Sequence, residues 1–300
     1  MRVSPRLLLL FAFAATGPLQ AQGFDDVEIE TQRLTDNVYM LIGQGGNIGV
    51  SAGDDGVFIV DDQFAPLTEK IVAAIRQITS EPVRFVFNTH WHGDHTGGNE
   101  NLGEAGALIV AHDNVRERMS VEQVLERIGR PVATEPAAPD GALPVVTFAG
   151  DVSFHINDDL LHAFHVEAAH TDGDAIVHFE RANVVHMGDT FFRDRFPFID
   201  TATGGSIDGM IAAAGAALAL MDAETQVIPG HGPLSSRDDL TAYRDALRTM
   251  RNAVAALKSE GLTLDEIQAR RPIRPQAEAW GQDRAAEETF VATIHHGLSP

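Results

Sequence analysis

Residues 89–98 read Thr-His-Trp-His-Gly-Asp-His-Thr-Gly-Gly and carry four potential metal ligands within a short segment. The four are His90, His92, Asp94 and His95. They directly follow the apolar run Val83–Phe87, which is typical of a buried strand. Because α/β sheets usually carry their chemistry in loops at the carboxyl ends of strands, this segment is the first candidate for a functional site.

The spacing of these side chains suits two cations rather than one. In extended backbone, residues i and i+2 point to the same side, so His90 and His92 can both reach one cation. Gly93 permits a sharp turn, after which Asp94 and His95 can face a second cation nearby. The alternative is a polar loop whose histidines contact only solvent. A protein without a metal gains nothing from crowded imidazoles, which repel one another when protonated.

Three later residues each follow an apolar run that is typical of a strand. They are His170, Asp189 and His231, after the runs 160–166, 184–187 and 226–228 respectively. Any one of them alone is more often a turn or capping residue. Together with the first loop, they supply enough ligands for two metal sites.

The His-x-His-x-Asp-His pattern of residues 90–95 resembles the signature of the metallo-β-lactamase superfamily, and the three later residues match that family's order and spacing. The resemblance covers the chain from about Val38 onward. It implies an α/β fold, the four-layer αββα sandwich, whereas the hydrophobic periodicity alone allows a generic α/β fold. The ligand sets that it implies are His90, His92 and His170 for one ion, Asp94, His95 and His231 for the other, and Asp189 as a bridge.

Imidazole and carboxylate ligands suit zinc, so two Zn²⁺ ions per chain are expected, with iron or manganese as alternatives. Two divalent ions that share one water lower its pKa from about 15.7 toward neutrality and provide a hydroxide. One ion polarises a substrate carbonyl while the other stabilises the leaving atom, so no nucleophilic serine or cysteine is required. The expected reaction is metal-dependent hydrolysis, with Asp94 as the catalytic carboxylate among the ligands.

The substrate is less well determined by the sequence. Two lactamase subclasses of this superfamily use a cysteine ligand, and the chain has no cysteine. The third uses an Asp-His pair like Asp94-His95 but typically lacks a bridging aspartate like Asp189, which resembles glyoxalase II, lactonases and related esterases. We therefore expect hydrolysis of a cyclic amide, ester or thioester carbonyl in a small molecule. The alternatives are a phosphodiester or sulfate-ester hydrolase, a mononuclear iron dioxygenase and a non-catalytic binding protein of the same fold.

Residues 1–21 have the composition of a secretory signal peptide. Arg2 and Arg6 precede the apolar run Leu7–Ala15, and Leu19–Ala21 is a plausible cleavage site. The alternative, an uncleaved anchor, is disfavoured because the run is shorter than the roughly 20 apolar residues that span a bilayer. Without cysteine there is neither a lipoprotein anchor nor a disulfide. We therefore expect a periplasmic or secreted protein without membrane attachment after cleavage.

The formal net charge is −21, and removal of Arg2 and Arg6 from this total leaves −23. A surface this acidic repels phosphate backbones, so nucleic-acid partners and the nuclease branches of the superfamily are disfavoured. Residues 22–37 are predicted to be a loose lead-in, and residues 38–300 one metallo-β-lactamase-like domain with a sizeable core. The oligomeric state is left open.

Several local predictions concern the surroundings of the metal residues. Gly43–Gly46 is either a flap over the site or an ordinary hairpin turn. A helix with Asp113 as its N-cap is expected to extend through Ile128, followed by a surface loop over Pro131–Pro144.

The amides of Gly205 and Ser206 at a helix start could bind an anionic group of the substrate, whereas plain N-capping by Ser206 is the alternative. Asp174 is expected either to orient His170 or to be a simple turn carboxylate. His112 ends a strand and is expected to cap a helix rather than line the site. The remaining histidines are expected to be structural or on the surface, and they are His155, His162, His165, His178, His186, His295 and His296.

Overall fold

Strands and helices alternate through residues 23–128 and 130–298, which are the part of the chain that the computed structural model describes. The strands are β1 (Glu30–Arg33), β2 (Val38–Ile42), β3 (Ile48–Gly53), β4 (Gly56–Val60), β5 (Val83–Asn88), β6 (Leu108–His112), β7 (Gln123–Arg127), β8 (Arg130–Glu135), β9 (Val146–Phe148), β10 (Asp151–Ile156), β11 (Asp159–His165), β12 (Ala175–Phe179), β13 (Val184–His186), β14 (Gln226–Ile228) and β15 (Ser235–Ser236). The helices are α1 (Thr68–Ile78), α2 (Gly93–Thr96), α3 (Asn99–Glu104), α4 (Asp113–Met119), α5 (Ile207–Leu218), α6 (Arg237–Ser259), α7 (Leu264–Arg270), α8 (Arg274–Ala279) and α9 (Arg284–Gly297). The predicted signal peptide over residues 1–21 lies outside the described residues. Within the described ranges, no helix has both the length and the apolar character needed to cross a bilayer.

The strands form two large sheets, and each sheet uses a different half of the chain. The first has the spatial order β1-β2-β3-β4-β5-β6-β9, and the second has the order β10-β11-β12-β13-β14-β15. The run β4-β5-β6-β9 is parallel, as is the pair β13-β14. β1 pairs antiparallel with β2, with Glu30 opposite Ile42. The loose lead-in predicted for residues 22–37 is therefore wrong for Glu30–Arg33, which form an edge strand.

Side chains alternate across the strands and divide the apolar residues among separate buried clusters. In β4, Phe58 belongs to the cluster between the sheets, which also contains Val177 of β12. Its neighbour Ile59 points the other way and belongs to an outer cluster with Ile71 of α1. On the far side of the second sheet, Ile176 of β12 shares a cluster with the apolar faces of α5 and α6. The layers are thus helix, sheet, sheet and helix, and the predicted αββα sandwich is confirmed.

The region after β6 differs from the prediction. The N-cap of α4 is His112 rather than Asp113, and its side chain accepts a hydrogen bond from Asn114 N. The helix ends at Met119, so the predicted extension through Ile128 is wrong. Gln123–Arg127 instead pairs antiparallel with β8 in a hairpin.

The hairpin also replaces the first part of the predicted surface loop. Valine and leucine at positions 124 and 125 suit a strand as well as a helix, so helical spacing alone could not distinguish the two. Ile128 has a positive φ of 58° near the turn. Pro131 is paired beside a register shift in the ladder, where the missing amide of a proline is tolerated.

The carboxyl ends of β4 and β5 in the first sheet, and of β13 and β14 in the second, lie at one edge of the sandwich. Backbone hydrogen bonds join the loops that follow them. Gly230 N donates to Gly188 O (2.8 Å), and Ala175 N donates to Thr89 O (2.8 Å). The predicted ligands lie in these loops.

Candidate metal centre

The loop after β5 presents its four predicted ligands around one short helical turn. His90 and His92 precede α2, and His92 has extended backbone (φ −65°, ψ 144°). The two rings are adjacent and nearly perpendicular, with centroids 4.8 Å apart and 86° between their planes. Asp94 and His95 belong to α2 itself, so the turn that begins at Gly93 redirects them. This is the change of direction that the glycine in the motif predicts.

The ligand atoms of these residues and of the three later residues form overlapping sets, each within 4.8 Å. The first ligand group is His90, His92 and His170, and the second ligand group is Asp94, His95 and His231. A further set joins His90, His95 and Asp189. Asp189 Oδ2 lies 3.6 Å from His170 Nε2 and 3.3 Å from His231 Nε2, so it reaches both groups. The structure therefore brings together all seven residues predicted as ligands.

Four of the imidazoles are each fixed through one ring nitrogen, and the other nitrogen faces the cluster. The contacts join His90 Nδ1 to Thr89 Oγ1 (3.0 Å), His95 Nδ1 to Asp61 Oδ2 (2.7 Å), His170 Nδ1 to the Phe198 carbonyl (2.8 Å) and His92 Nε2 to Asp200 Oδ2 (3.4 Å). Outer partners of this kind fix the tautomer and ring orientation of metal-binding histidines. Each ring is thereby held with its second nitrogen directed inward.

Buried polar atoms in the cluster fit a cation. Among the described residues, His90 Nε2, His95 Nε2 and Asp189 Oδ1 are buried and have no hydrogen-bond partner. His95 Nε2 is 3.1 Å from Asp189 Oδ1, but the two are not aligned as a hydrogen bond. An unsatisfied buried polar atom costs about 1–3 kcal/mol. Three such atoms close together fit a metal site, because one or two cations would satisfy all of them.

Two imidazoles of the first ligand group, those of His90 and His170, are neutral at pH 7. Burial, followed by the neighbouring His95 and His170, holds the pKa of His90 well below its usual range. Burial, followed by His92, lowers the pKa of His170 to about 4. Neutral imidazoles carry the free lone pair that a metal ion requires.

The second ligand group requires positive charge. Burial lowers the pKa of His95, but the carboxylates of Asp189, Asp94 and Asp61 outweigh it and raise that pKa well above its usual range. Burial likewise lowers the pKa of His231, but Asp189 outweighs burial and raises that pKa to about 9. Burial raises the pKa of Asp189, but His231 and His95 together hold it well below its usual range. A divalent cation can supply the charge that two protons otherwise bring to these carboxylates.

Sequence reasoning missed the buried turn Asp61-Asp62-Gln63 behind the cluster. Asp61 is fully buried and accepts three hydrogen bonds, from Thr89 N (2.8 Å), Thr89 Oγ1 (2.9 Å) and His95 Nδ1 (2.7 Å). It therefore positions both the start of the motif loop and one ligand of the second ligand group. The available signal was two carboxylates directly after the apolar strand β4, at the same sheet edge as β5.

The turn at Gly43–Gly46 packs on the ligand loop. Gly46 N donates to Asp94 O (3.0 Å), and Gln63 Nε2 donates to Gly46 O (2.7 Å). Gly45 has a φ of 109°, and a methyl group there would lie 2.8 Å from Asp94 O. A methyl group at Gly46 would overlap the His95 ring. The glycines allow this hairpin turn to contact the metal residues directly.

The structure assigns different partners to two other predicted features. Gly205 N donates to Asp200 O (2.9 Å) and Ser206 N to Ala169 O (2.8 Å), so these amides are not available to an anionic substrate group. Ser206 Oγ instead accepts from Gly209 N (2.9 Å), which is the N-capping alternative. Asp174 Oδ2 accepts from His170 N (2.6 Å) and therefore holds the backbone of that ligand rather than its ring.

Two histidines outside the predicted ligand set, His112 and His186, have structural roles. His112 caps α4 and donates through Nε2 to Ala149 O (3.0 Å). His186 is buried, with Nε2 3.0 Å from Asn47 O and Nδ1 accepting from Gly188 N (3.2 Å). The prediction that His112 caps a helix is confirmed.

Comparison with known proteins identifies one family. The sequence profile of the metallo-beta-lactamase superfamily matches residues 41–257. A hydroxyacylglutathione hydrolase of Erythrobacter litoralis (strain HTCC2594) is 26% identical over 111 residues. That match spans 37% of this chain and 35% of the relative, so the chain is matched to about a third of the relative's length.

Solved structures share the fold at low sequence identity. A metallo-beta-lactamase from Pontibacter korlensis has a TM-score of 0.59 at 18% identity, covering 74% of this chain and 99% of that one. The metallo-beta-lactamase DIM-1 has a TM-score of 0.57 at 22% identity, covering 75% and 99%. A double mutant of the sec-alkyl sulfatase PisA1 has a TM-score of 0.64 at 17% identity, covering 92% of this chain and 51% of that one.

Proposed function

The chain belongs to the metallo-beta-lactamase superfamily, and from that membership we propose that it is a dinuclear zinc hydrolase of small molecules. Its substrate is a cyclic amide, ester or thioester that is cleaved at the carbonyl. The observation that carries the proposal is the seven-residue cluster, in which Asp189 lies between the first and second ligand groups. Its unpartnered buried atoms, His90 Nε2, His95 Nε2 and Asp189 Oδ1, support the binding of two cations.

Zinc is the metal proposed, because imidazole nitrogen with a few carboxylates is a donor set that zinc favours. When bound, two such ions supply Lewis acidity and an activated water at neutral pH. His90, His92 and His170 would hold one ion. Asp94, His95 and His231 would hold the other, with Asp189 shared.

The protein's own groups fix and shield this arrangement. Asp61, Asp200 and the Phe198 carbonyl orient the imidazoles. Trp91 is buried against His92, with ring centroids 4.5 Å apart, and excludes water from one side. These contacts keep the ligands in place before substrate binds.

Asp94 is the carboxylate that faces the open side of the cluster. Its side chain is 26% exposed, against 5% for Asp189. Burial is the largest single influence on the pKa of Asp94 and raises it, as does Asp189, but His95 and His231 outweigh both and hold that pKa below its usual value. A substrate entering from solvent therefore meets an ionised Asp94 first. This position fits the catalytic carboxylate that the sequence predicts.

A panel of hydrolysis assays tests the proposal. Zinc-loaded protein is incubated with nitrocefin, a lactone and an acyl thioester, and with an aryl sulfate and an aryl phosphodiester as the competing class. We expect turnover of at least one carbonyl substrate, which is lost on chelation and restored by zinc. Asp189→Asn should lower kcat/KM at least about 100-fold. Asp238→Asn, the same chemical change at an exposed position on α6, should leave it unchanged.

The outcomes separate the alternatives. Turnover of the sulfate or phosphodiester alone favours the ester-hydrolase alternative, in which the same cluster acts on a tetrahedral centre. No turnover of any substrate by protein that contains two ions would contradict an enzymatic role.

We further propose that the protein is exported to the periplasm or beyond. The support is the composition of residues 1–21. Amino-terminal sequencing of mature protein from the producing cells should begin close to residue 22. A mature chain that retains Arg2 and Arg6 in the cytosolic fraction would contradict export.

A further inference from the structure

A cavity of about 240 Å³ lies beside the metal centre and is walled by two distant parts of the chain. One wall is the segment that follows Asp189, and the other is α9 with the residues just before it. Four phenylalanine rings line it, namely Phe192, Phe196, Phe198 and Phe290. Whole-ligand sites usually measure about 300–1,000 Å³. This cavity therefore suits one group of a substrate rather than an entire molecule.

Two of these rings also contact the predicted ligands. The Phe192 ring stacks on His231 (centroids 5.3 Å apart, 17° between planes) and lies 5.9 Å from His170. The Phe198 ring lies 5.9 Å from both His92 and His170. The cavity wall is therefore continuous with both ligand groups. A substrate group in this cavity contacts the same two rings that contact the predicted ligands.

The wall from α9 is firmly attached. Phe196 stacks on Phe290 with ring centroids 4.7 Å apart and 13° between planes. Glu287 is 2% exposed and accepts from Arg271 Nε (3.0 Å), which holds α9 against the residues after α7. All of α9 lies beyond residue 257, where the family match ends. The cavity is thus built partly from a segment outside the shared family region.

One charged side chain lines the cavity. Arg195 is exposed, with its guanidinium carbon 5.8 Å from the Phe192 ring centroid. Among the described residues it has no carboxylate or hydrogen-bond partner. The other lining residues are uncharged. In a chain of net charge −21, an unpaired arginine at this position favours an anionic group.

We propose that the cavity binds an aromatic or short apolar acyl group of the substrate, and that Arg195 binds a carboxylate on the same molecule. The proposal rests on the hydrolase function and names its substrate class, namely acidic aryl-acyl esters, thioesters or lactams. The apolar group is desolvated by the four phenylalanines, which contributes the greater part of the selectivity. The exposed ion pair contributes less.

A paired ester series measures the selectivity. The substrates are an acetyl ester and a 3-phenylpropionyl ester of one leaving group, each with and without a carboxylate. Wild-type protein should prefer the phenylpropionyl ester at least about tenfold in kcat/KM. Ala286→Phe fills the cavity from α9 and should reduce this preference by about tenfold. Ala285→Phe, on the neighbouring exposed position, should leave it as in wild type.

Two further variants and a binding assay test the cavity and Arg195 separately from Ala286→Phe. If Ala286→Phe does not fold, Thr289→Leu fills the same cavity from the next turn and should act in the same direction. Arg195→Gln should raise KM up to about fivefold for the carboxylate-bearing esters alone, with kcat unchanged. Binding of 3-phenylpropionate, followed by ligand-observed NMR, should weaken in Ala286→Phe and requires no turnover.

The two proposals can fail separately. Binding that depends on residue 286 without hydrolysis of any ester would support the cavity and contradict the hydrolase function. Hydrolysis whose acyl preference and phenylpropionate binding are the same in Ala286→Phe as in wild type would overturn the cavity assignment alone.

Discussion

Replacing Asp61 by asparagine is expected to weaken the second ligand group more than the first. The carboxylate accepts three hydrogen bonds, and Oδ2 receives two of them, from His95 Nδ1 and Thr89 Oγ1. If the new side-chain amide at position 61 keeps its oxygen toward Thr89 N, its NH₂ group faces the other two donors, Thr89 Oγ1 and His95 Nδ1. His95 can then accept at Nδ1 only by moving its proton to Nε2, the atom that faces the metal cluster. The variant keeps the shape of the site, but His95 then carries its proton on the nitrogen that should bind the metal ion.

The loss can be estimated from the role of this outer contact. Removing the hydrogen-bond partner of a metal-binding histidine typically costs about 10–100-fold in metal affinity or activity. This is about 1.4–2.7 kcal/mol at 1.36 kcal/mol per factor of ten. The effect should fall mainly on the second ion, because Asp61 contacts the first ligand group only through Thr89 and His90.

Competitive titration against a chromophoric chelator resolves the two zinc affinities. Asp62→Asn is the matched control, because Asp62 is equally buried and its Oδ1 accepts only from Gly98 N (2.9 Å). Burial raises the pKa of Asp62 well above its usual range, so asparagine resembles the protonated side chain. In Asp61→Asn, the weaker of the two zinc affinities should fall by at least about tenfold, which is the low end of the range of about 10–100-fold. Zinc affinities equal to those of Asp62→Asn would refute the reasoning.

Three other perturbations have definite outcomes. Chelation of the metal ions should lower the unfolding temperature by about 5 °C or more, since saturation at 100 times the dissociation constant is worth about 2.7 kcal/mol. Asn157→Ala removes the hydrogen bonds that the side chain donates to Ser51 Oγ (3.1 Å) and Gly56 O (3.0 Å). It also places an alanine where φ is 53°. Urea denaturation should therefore show that the free energy of unfolding falls by about 3 kcal/mol. Burial lowers the pKa of His112 below that of the unfolded chain, so its contribution to stability is complete above about pH 6.5 and is lost as the pH falls below it. His112→Asn keeps a good N-cap without a titrating ring and should reduce the decline in urea midpoint between about pH 7 and 5.

Each of these has its own contrary result. An unfolding temperature that chelation does not change would show that the cluster is satisfied without ions. Asn157→Gly tolerates the positive φ, so a full recovery of stability in that variant would show that the hydrogen bonds contribute nothing. If wild type and His112→Asn lose stability in parallel with falling pH, His112 does not titrate as described.

The ligand set could be predicted from sequence because its residues occur in recognisable local patterns. Metal ligands must be particular residue types, and four of them occur together in the motif around His90. His170, Asp189 and His231 each follow a strand whose apolar pattern is clear. The layer order followed from the family resemblance and was then confirmed by the alternation of residues such as Phe58 and Ile59.

What sequence could not predict depends on contacts between distant residues. Asp61 has the appearance of an ordinary turn carboxylate, and only the pairing of β4 with β5 places it beside His95. The apolar spacing near Val124 fits both a helix and a strand, so it predicts a helix where β7 forms, and no apolar pattern marks β8 within the predicted loop. The phenylalanine cavity joins Phe196 to Phe290, nearly a hundred positions apart, and no local pattern relates them.

Elemental analysis of the purified protein, with the metal content expressed per chain, tests the central claim most directly. We expect two divalent ions per chain in the wild type, falling to about one in Asp94→Ala because the second ligand group loses its carboxylate while the first keeps all three imidazoles. Less than one bound ion per chain in zinc-supplemented wild-type protein would contradict the account.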